Sequence, residues 1–160
     1  MKELLIFYFS GTGNARQVAE WMKESVMGRG VKCSLYDIAQ TNMDEITING
    51  DAHIVLVSPV HGFNYPHIML NFIGKFPQGH NNIILMNTRA GMKIGHIVTI
   101  GLTGIAFLLS AIMLRMKGYS IIGMIPFDMP SNWLSLHPAL RGQALDYIYN
   151  KNHQRVEKHV

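Results

Sequence analysis

The apolar residues of this chain fall into short uninterrupted runs, each followed by a segment in which they recur at helical spacing. The first run, 4–9, stops at a polar stretch that contains two glycines, and apolar residues then return at Val18, Ala19 and Met22. This order predicts a strand, a tight loop and a helix that ends near residues 28–30. A strand without polar alternation is buried on both faces, as in a parallel sheet covered by helices.

The same order repeats along the rest of the chain. Apolar runs predict four more strands, helical spacing predicts three more helices, and 41–50 is expected to contain little or no helix. Successive units joined by right-handed crossovers form a doubly wound parallel sheet. Five strands suit the order 2-1-3-4-5, in one three-layer α/β/α domain over 1–160. The predicted strands are 31–38, 53–59, 82–87 and 119–126, and the predicted helices are 67–76, 105–116 and 139–158.

One segment, 97–114, contains 18 residues without a charged side chain, which is long enough for a transmembrane helix. A spanning helix would separate the fifth strand from the first four, and Gly101 and Gly104 interrupt its first part. We therefore expect a covered helix of ordinary length over 105–116 rather than a membrane contact through this segment. Its apolar outer face would still require a covering surface, such as a second copy in a homodimer or a membrane surface.

Charge is unevenly distributed along the chain. The net charge is +4, but residues 52–127 contain five Lys or Arg and no Asp or Glu. Because these cations are widely spaced in the sequence and not interleaved with aromatic residues, no nucleic-acid partner is expected. No carboxylate stands near them in the sequence, and we expect them to lack local partners.

The cysteine and histidine residues exclude several kinds of site. The single cysteine, Cys33, cannot form an intrachain disulfide, a cysteine-ligated iron–sulfur cluster or a thiolate zinc site. Its place in an apolar strand predicts an unreactive buried thiol. The eight histidines show no HxH or HExxH spacing, so no metal site is expected, and no residue is assigned a catalytic role. One free cysteine and no signal peptide predict a reducing, cytoplasmic location.

The predicted sheet order places a ligand outside the carboxyl ends of the first and third strands, where the chain direction reverses. The loops after the first, third and fourth strands converge there.

In the first loop, two glycines and small polar side chains leave room for an anion at the free N–H groups of the next helix; the alternative is an ordinary turn and N-cap. Neither GxxxxGK[ST] nor GxGxxG is present, since Arg16 stands at the last glycine position of the latter. The candidate binding residues are Ser10, Gly11, Thr12, Gly13, Asn14 and Ala15 in the first loop, Pro59, Val60, His61, Gly62 and Phe63 in the second, and Asn87, Thr88, Arg89 and Gly91 in the third.

Four stretches together resemble one protein family. They are YFSGTGN at 8–14, PVHG at 59–62, NTRAG at 87–91 and SNW at 131–133. The first loop is similar to the phosphate loop of flavodoxins, and the whole set is similar to the flavodoxin half of fused flavodoxin–ferredoxin proteins of bacteria and archaea. The resemblance implies a flavodoxin-like fold with flavin mononucleotide (FMN) held by the three loops. Ala15 departs from the family, which usually has a threonine whose hydroxyl meets the phosphate at this position.

The resemblance also implies that the protein is an FMN-binding electron-transfer protein. The sequence has no CxxCxxC run of a ferredoxin, so electrons would pass to a separate redox protein or reductase. Flavodoxins usually stack the flavin between Trp and Tyr, and here Tyr65 and Trp133 are the nearby candidates. With Arg89 and Lys93 near the ring, the reduced flavin anion would be stabilised, the potential raised and an acidic partner favoured. The alternative is that Arg89 points into water or pairs with the FMN phosphate of another molecule. His61 would either pack against the ring or supply a proton.

Two other functions stay open on the sequence. The first is an NAD(P)H-dependent FMN-containing flavin or quinone reductase on the same fold, in which a neighbouring copy completes the pocket. The second is a flavodoxin-like interaction domain that has lost FMN, which Ala15 and the missing ring tryptophan would favour. The retained loop at 10–14 argues against this loss.

Overall fold

The computed structural model describes residues 3–91, 93–94, 97–98, 102–130 and 143–159. Their centre is a five-stranded parallel sheet in the order β2-β1-β3-β4-β7. Counted within the sheet this is 2-1-3-4-5, so the predicted doubly wound α/β fold is confirmed. The elements are β1 (Glu3–Tyr8), α1 (Asn14–Gly28), β2 (Lys32–Asp37), β3 (His53–Pro59), α2 (His67–Lys75), β4 (Asn82–Gly91), β5 (Lys93–Ile94), β6 (Ile97–Val98), α3 (Ala106–Met116), β7 (Ser120–Pro130) and α4 (Gln143–His159).

The core lies in two layers, one on each face of the sheet. Alternate residues of β1 point to opposite faces, and all six residues of this strand are buried. Leu4 and Ile6 pack with the inner side of α1 and with Val156 of α4. Leu5 and Phe7 pack with the inner sides of α2 and α3. The uninterrupted apolar run at 4–9 therefore marks a strand covered by helices on both faces, as predicted.

The segment between β2 and β3 covers part of the second face without a full helix. It contains one 3-10 turn, Met43–Glu45, in which the Asn42 side chain accepts a hydrogen bond from the Asp44 backbone N–H. Met43, Ile46 and Ile48 pack against the core on the side of α2. The expectation of little or no helix over 41–50 is confirmed.

The fourth and fifth strands of the sheet are longer than the sequence predicts. β4 continues to Gly91 and β7 to Pro130, and the two strands pair in register over this added length. The predicted loop at 88–91 is therefore wrong: Thr88, Arg89 and Gly91 lie in a strand. The predicted loop at 127–138 is wrong for 127–130, which lie in β7, and the rest of it, with the SNW stretch at 131–133, lies outside the described residues.

The uncharged segment 97–114 contains two different structures. Ile97–Val98 pairs with Lys93–Ile94 in a short antiparallel ribbon that the sequence pattern did not predict. The helix α3 begins at Ala106, after the left-handed Gly104 (φ 59°), close to the predicted start. None of the helices in the described ranges has both the length and the apolar character needed to cross a bilayer.

Candidate functional site

The candidate residues gather at the carboxyl edge of the sheet because of the strand register. Tyr8 pairs with Val57, and Pro59 pairs with Thr88, so the first two loops leave the sheet at a similar level. The backbone N–H of Val60 donates to the Thr88 carbonyl at 2.9 Å, which joins the second loop to β4. The last residues of β4 extend beyond this level, paired with the end of β7.

The first loop, 10–14, opens directly onto the start of α1. The Ser10 hydroxyl accepts a hydrogen bond from the Gly13 backbone N–H at 3.1 Å, and Gly13 takes the left-handed conformation (φ 95°) as the residue before the helix. The first intrahelical bond runs from the Gln17 N–H to the Gly13 carbonyl at 2.9 Å. The N–H groups of the preceding helical residues consequently have no intrahelical acceptor.

Among the described residues, nothing crowds the glycines of this loop, and the helix that follows begins without an acid. A Cβ added at Gly11 or Gly13 would meet nothing within 4 Å. The first turn of α1 contains no acid, and Thr12 is exposed beside it. Free N–H groups, a helix N-terminus and a hydroxyl form a site that suits an anion such as a phosphate.

Two residues assigned to this loop have other roles in the structure. The Asn14 side-chain amide donates to the Pro130 carbonyl at 2.9 Å and its oxygen accepts from the Tyr149 hydroxyl at 3.2 Å, so the side chain joins α1 to β7 and α4. Ala15 is 1% exposed and packs in the core beneath α1. Each can offer a ligand its backbone N–H, whereas neither side chain is available.

The second loop presents an aromatic ring on a strained turn. His61 and Asn64 exchange backbone hydrogen bonds of 2.8 and 3.2 Å, and the two residues between them, Gly62 (φ 55°) and Phe63 (φ 67°), are both left-handed. These dihedral angles are those of a type I′ turn, which glycine and asparagine favour and phenylalanine does not. The Phe63 side chain is nevertheless 61% exposed.

Contacts with the start of α3 hold this turn in place. The Ile105 backbone N–H donates to the Phe63 carbonyl at 2.8 Å. A Cβ on Gly104 would lie 2.0 Å from that same carbonyl oxygen, so only glycine allows this close approach. Strain at an exposed aromatic residue that the surrounding structure maintains is a feature of binding sites.

The end of β4 differs from the sequence-based expectation. The Arg89 side chain donates through Nε to Asp128 Oδ1 at 2.7 Å and through Nη1 to the Thr103 hydroxyl at 2.9 Å. Both members of the ion pair are mostly buried, with side chains 13% and 15% exposed. The expectation that Arg89 lacks a local partner is therefore wrong, since its charge is compensated across the β4–β7 pair.

The remaining candidates on β4 are two buried residues and the last residue of the strand. Asn87 is fully buried and its side-chain atoms make no hydrogen bond in the part of the chain that the structure describes. Thr88 is buried as well. Gly91 pairs with Pro130 at the end of the sheet. Of the residues considered for the flavin ring, Tyr65 is 2% exposed and donates its hydroxyl to the Met86 carbonyl at 2.9 Å, so it belongs to the core; Trp133 lies outside the described residues.

Three residues that support the site were missed from the sequence. Asp128 could have been found, because it is the first acid after a long acid-free segment and stands at the end of the strand beside β4. Gly104 and Tyr149 carry no such signal, since their contacts with Phe63 and Asn14 arise only from the packing of helices on the sheet.

The described residues support neither a metal site nor a reactive cysteine. Within the described ranges no three His, Cys, Asp or Glu side chains lie close enough together to hold a metal ion. Burial raises the pKa of the Cys33 thiol to about 11, which keeps it protonated and a weak nucleophile at neutral pH. The arrangement is suited to binding an anion next to a flat group.

Comparisons with known proteins give a consistent result. A protein-family model described as a flavodoxin domain matches residues 5–85. No curated protein matches the sequence. Among solved structures, a flavodoxin from the domain Archaea superposes with a TM-score of 0.59 at 16% identity, over 98% of this chain and 97% of the other.

Two further solved structures superpose on nearly the whole chain. A mutant flavodoxin from Fusobacterium nucleatum bound to flavin mononucleotide has a TM-score of 0.60 at 13% identity, with 99% of this chain and 92% of the other covered. The rubredoxin oxygen:oxidoreductase of Desulfovibrio gigas has a TM-score of 0.59 at 16% identity, and there the match covers 99% of this chain but only 36% of the larger protein. At these identities the likeness concerns the fold alone.

Proposed function

Because the chain belongs to the flavodoxin domain family, we propose that it binds FMN at the carboxyl edge of its sheet and acts as an electron-transfer protein. FMN, when bound, supplies the redox chemistry by accepting and donating electrons at its ring. The chain's own contribution is to bind the phosphate, position the ring and set the charge around it.

The observation that carries this proposal is the loop at 10–14. The Ser10 and Thr12 side chains and the N–H groups at the start of α1 would hold the FMN phosphate. Open space at Gly11 and Gly13 allows an anion to approach the backbone, and no acid in the first turn opposes it. The ion pair of Arg16 with Glu20, at 2.8 Å, lies one turn into the helix and leaves the loop open.

The turn at 61–64 supports the placement of the ring. Phe63 is exposed, fixed in an unfavourable backbone conformation and anchored by the start of α3. We infer that the ring of FMN packs near this turn, with His61 as a neighbour in the same exposed loop. The neutralised Arg89–Asp128 pair would lie to one side and add little net charge.

A separate redox protein or reductase is the proposed partner, with an acidic docking surface. This part of the proposal rests on the acid-free composition of 52–127, which includes the second loop and all of β4. We also propose a reducing cytoplasmic location, on the basis of the single weakly nucleophilic Cys33.

FMN binding is tested with the purified chain by titration and visible absorption. We expect FMN to bind and its absorption bands to shift on binding. The variant Thr12→Asp should weaken binding at least tenfold, because the added carboxylate stands where the phosphate would lie. Asn150→Asp makes the same charge change at an exposed position of α4 and serves as the control with unchanged affinity. If wild-type protein does not take up FMN, the proposal is rejected in favour of an interaction domain that has lost the cofactor.

The kind of redox function is tested on the FMN-loaded protein by adding NADPH under anaerobic conditions. An electron carrier should keep its flavin absorption until a reductase or dithionite is added. Bleaching by NADPH alone would replace this proposal with the flavin or quinone reductase.

A further inference from the structure

The helix α3 distributes its side chains in the opposite way from a helix that faces water. The outward positions within the helix are occupied by large apolar residues, Leu108, Ile112 and Met116, and by one charged residue, Arg115. The sheet side is instead lined mostly by small residues and contains a buried serine. Its buried residues are Ala106, Ser110, Ala111 and Leu114.

The apolar residues continue beyond the helix toward the carboxyl edge of the sheet. Leu102 and Ile105 are exposed just before α3, and Phe63 joins them through the hydrogen bond from the Ile105 N–H to the Phe63 carbonyl. We call the whole set the apolar α3 surface. It consists of Phe63, Leu102, Ile105, Leu108, Ile112 and Met116.

In the other helical layer the described residues include only isolated exposed apolar side chains, Met27 on α1 and Tyr147 on α4. Along α4 the exposed positions from Asn150 onward are polar or charged, as expected for a surface helix. Those positions are Asn150, Lys151, Gln154, Glu157 and Lys158. Isolated exposed apolar side chains are ordinary, whereas a row of them along one helix indicates a binding surface.

The charged side chains that the structure describes at the C-terminal ends of α2 and α3 are basic. Arg115 lies on the outward side of α3, and the Lys117 ammonium donates to the carbonyls of Gly74 and Phe76 at 2.9 and 2.8 Å. The exposed Lys75 stands between these two residues. In the described ranges none of the three cations is paired with a carboxylate. The acids Asp44 and Glu45 belong to the 3-10 turn whose Met43 packs against the core on this same face of the sheet.

This charge pattern distinguishes between the possible occupants of the surface. A second copy would bring another acid-free surface against the first, so that cations would face cations without a compensating carboxylate. A bilayer with anionic headgroups offers apolar chains to the leucine, isoleucine and methionine side chains and negative charge to the basic rim. With 11 residues, α3 is too short to span a bilayer and would lie along its surface.

We propose that the apolar α3 surface binds the interface of a phospholipid bilayer that contains anionic lipid. Leu108, Ile112 and Met116 enter the boundary between headgroups and acyl chains, and Lys75, Arg115 and Lys117 contact the headgroups. A consequence, which rests on the proposed function, is that the turn at 61–64 faces the membrane and that electrons are exchanged with a partner held there.

The proposal is tested by sedimentation of the full chain with phosphatidylcholine vesicles, with and without phosphatidylglycerol. We expect binding to the anionic vesicles that weakens as salt is added. Leu108→Gln should reduce it several-fold, and Leu108→Gln with Ile112→Gln at least tenfold. Met27→Gln is the matched control on α1, because Met27 is 53% exposed and Leu108 62% exposed; it should leave binding unchanged. Replacing Lys75 and Arg115 with Gln should weaken binding to vesicles that contain phosphatidylglycerol and leave any binding to pure phosphatidylcholine vesicles unchanged.

Several outcomes overturn the proposal. One is that wild-type protein does not sediment with anionic vesicles at low salt, and another is that the double variant binds as well as wild type. The oligomeric state is measured in parallel by light scattering. A wild-type dimer that Leu108→Gln with Ile112→Gln converts to a monomer, without vesicle binding, would identify a second copy as the occupant. Thermal unfolding of each variant confirms that these exposed substitutions leave the fold intact, and measurement without FMN separates this test from that of the proposed function.

Discussion

At the scale of single residues, the site depends on a contact between a strained turn and a glycine. Phe63 has a positive φ of 67°, a conformation that costs an ordinary residue on the order of 1 kcal/mol. The bond from the Ile105 N–H and the absence of a side chain at Gly104 together allow its carbonyl to pack against the start of α3. The proposed ring-binding turn and the apolar α3 surface therefore share one anchor.

Gly104→Ala tests this anchor. A methyl group there would lie 2.0 Å from the Phe63 carbonyl oxygen, and Gly104 itself has φ 59°, so the turn must move. We expect a loss of about 1–3 kcal/mol in the free energy of unfolding, measured with denaturant, and weaker FMN binding in the titration. Gly28→Ala is the control: its Cβ would meet nothing within 4 Å, its φ is not positive, and it lies at the end of α1. Equal stability of the two variants would show that the turn is not held by Gly104.

At the scale of elements, the sequence predicts which segments are strands better than it predicts where they end. The continuous apolar runs at 4–9 and 53–59 identify β1 and β3 because both strands are buried on two faces. The polar residues at 87–91 and the proline at 126 are typical of a loop, yet β4 and β7 continue through them. These residues are held in strands by the pairing between β4 and β7 and by the Arg89–Asp128 ion pair across them. The local sequence pattern contains neither interaction and therefore predicts a loop.

For the same reason the candidate site was predicted only in part. The first two loops follow from the fold and from local glycine patterns, and the structure brings them to one edge. The partners of the candidate residues are Asp128 for Arg89, Gly104 for Phe63 and Tyr149 for Asn14, and each is distant in the sequence from the residue it contacts. A single sequence contains no signal for contacts of this kind, except for the isolated charge of Asp128.

The pairing of β4 with β7 gives a prediction at this scale. Arg89→Gln removes the charge that compensates the mostly buried Asp128 carboxylate, and we expect the free energy of unfolding to fall by about 1–3 kcal/mol. Asp128→Asn should have a similar effect. The two substitutions together should cost less than the sum of their separate effects in a double-mutant cycle. Strictly additive losses would show that the ion pair does not stabilise the ends of these strands.

At the scale of the whole molecule, charge is divided unevenly between residues 52–127 and the rest of the chain. Residues 52–127, which include α2, α3, the second loop and all of β4, have five Lys or Arg and no acid, whereas the rest of the chain has nine Lys or Arg and ten acids. Arg89 is paired with Asp128 and contributes little to the electrostatic potential outside the protein. The potential of the other cations of this segment extends about one Debye length into the solvent. An anion that approaches the proposed flavin from this side should be attracted, and a cation repelled.

This field predicts opposite salt effects on two small electron acceptors. The FMN-loaded protein, reduced beforehand, is mixed in a stopped-flow instrument with ferricyanide or with hexaamminecobalt(III). As the Debye length falls from about 30 Å in 0.01 M salt to about 3 Å in 1 M salt, oxidation by the ferricyanide anion should slow several-fold and oxidation by the cobalt cation should accelerate. Reduced free FMN is measured in the same buffers as a control, because its rates contain only the salt effects of the flavin and the acceptors. The protein's contribution is the difference between the salt effect on the FMN-loaded protein and that on free FMN. If that difference is zero or has the opposite sign, the acid-free segment does not govern access to the ring, and the case for an acidic partner is lost.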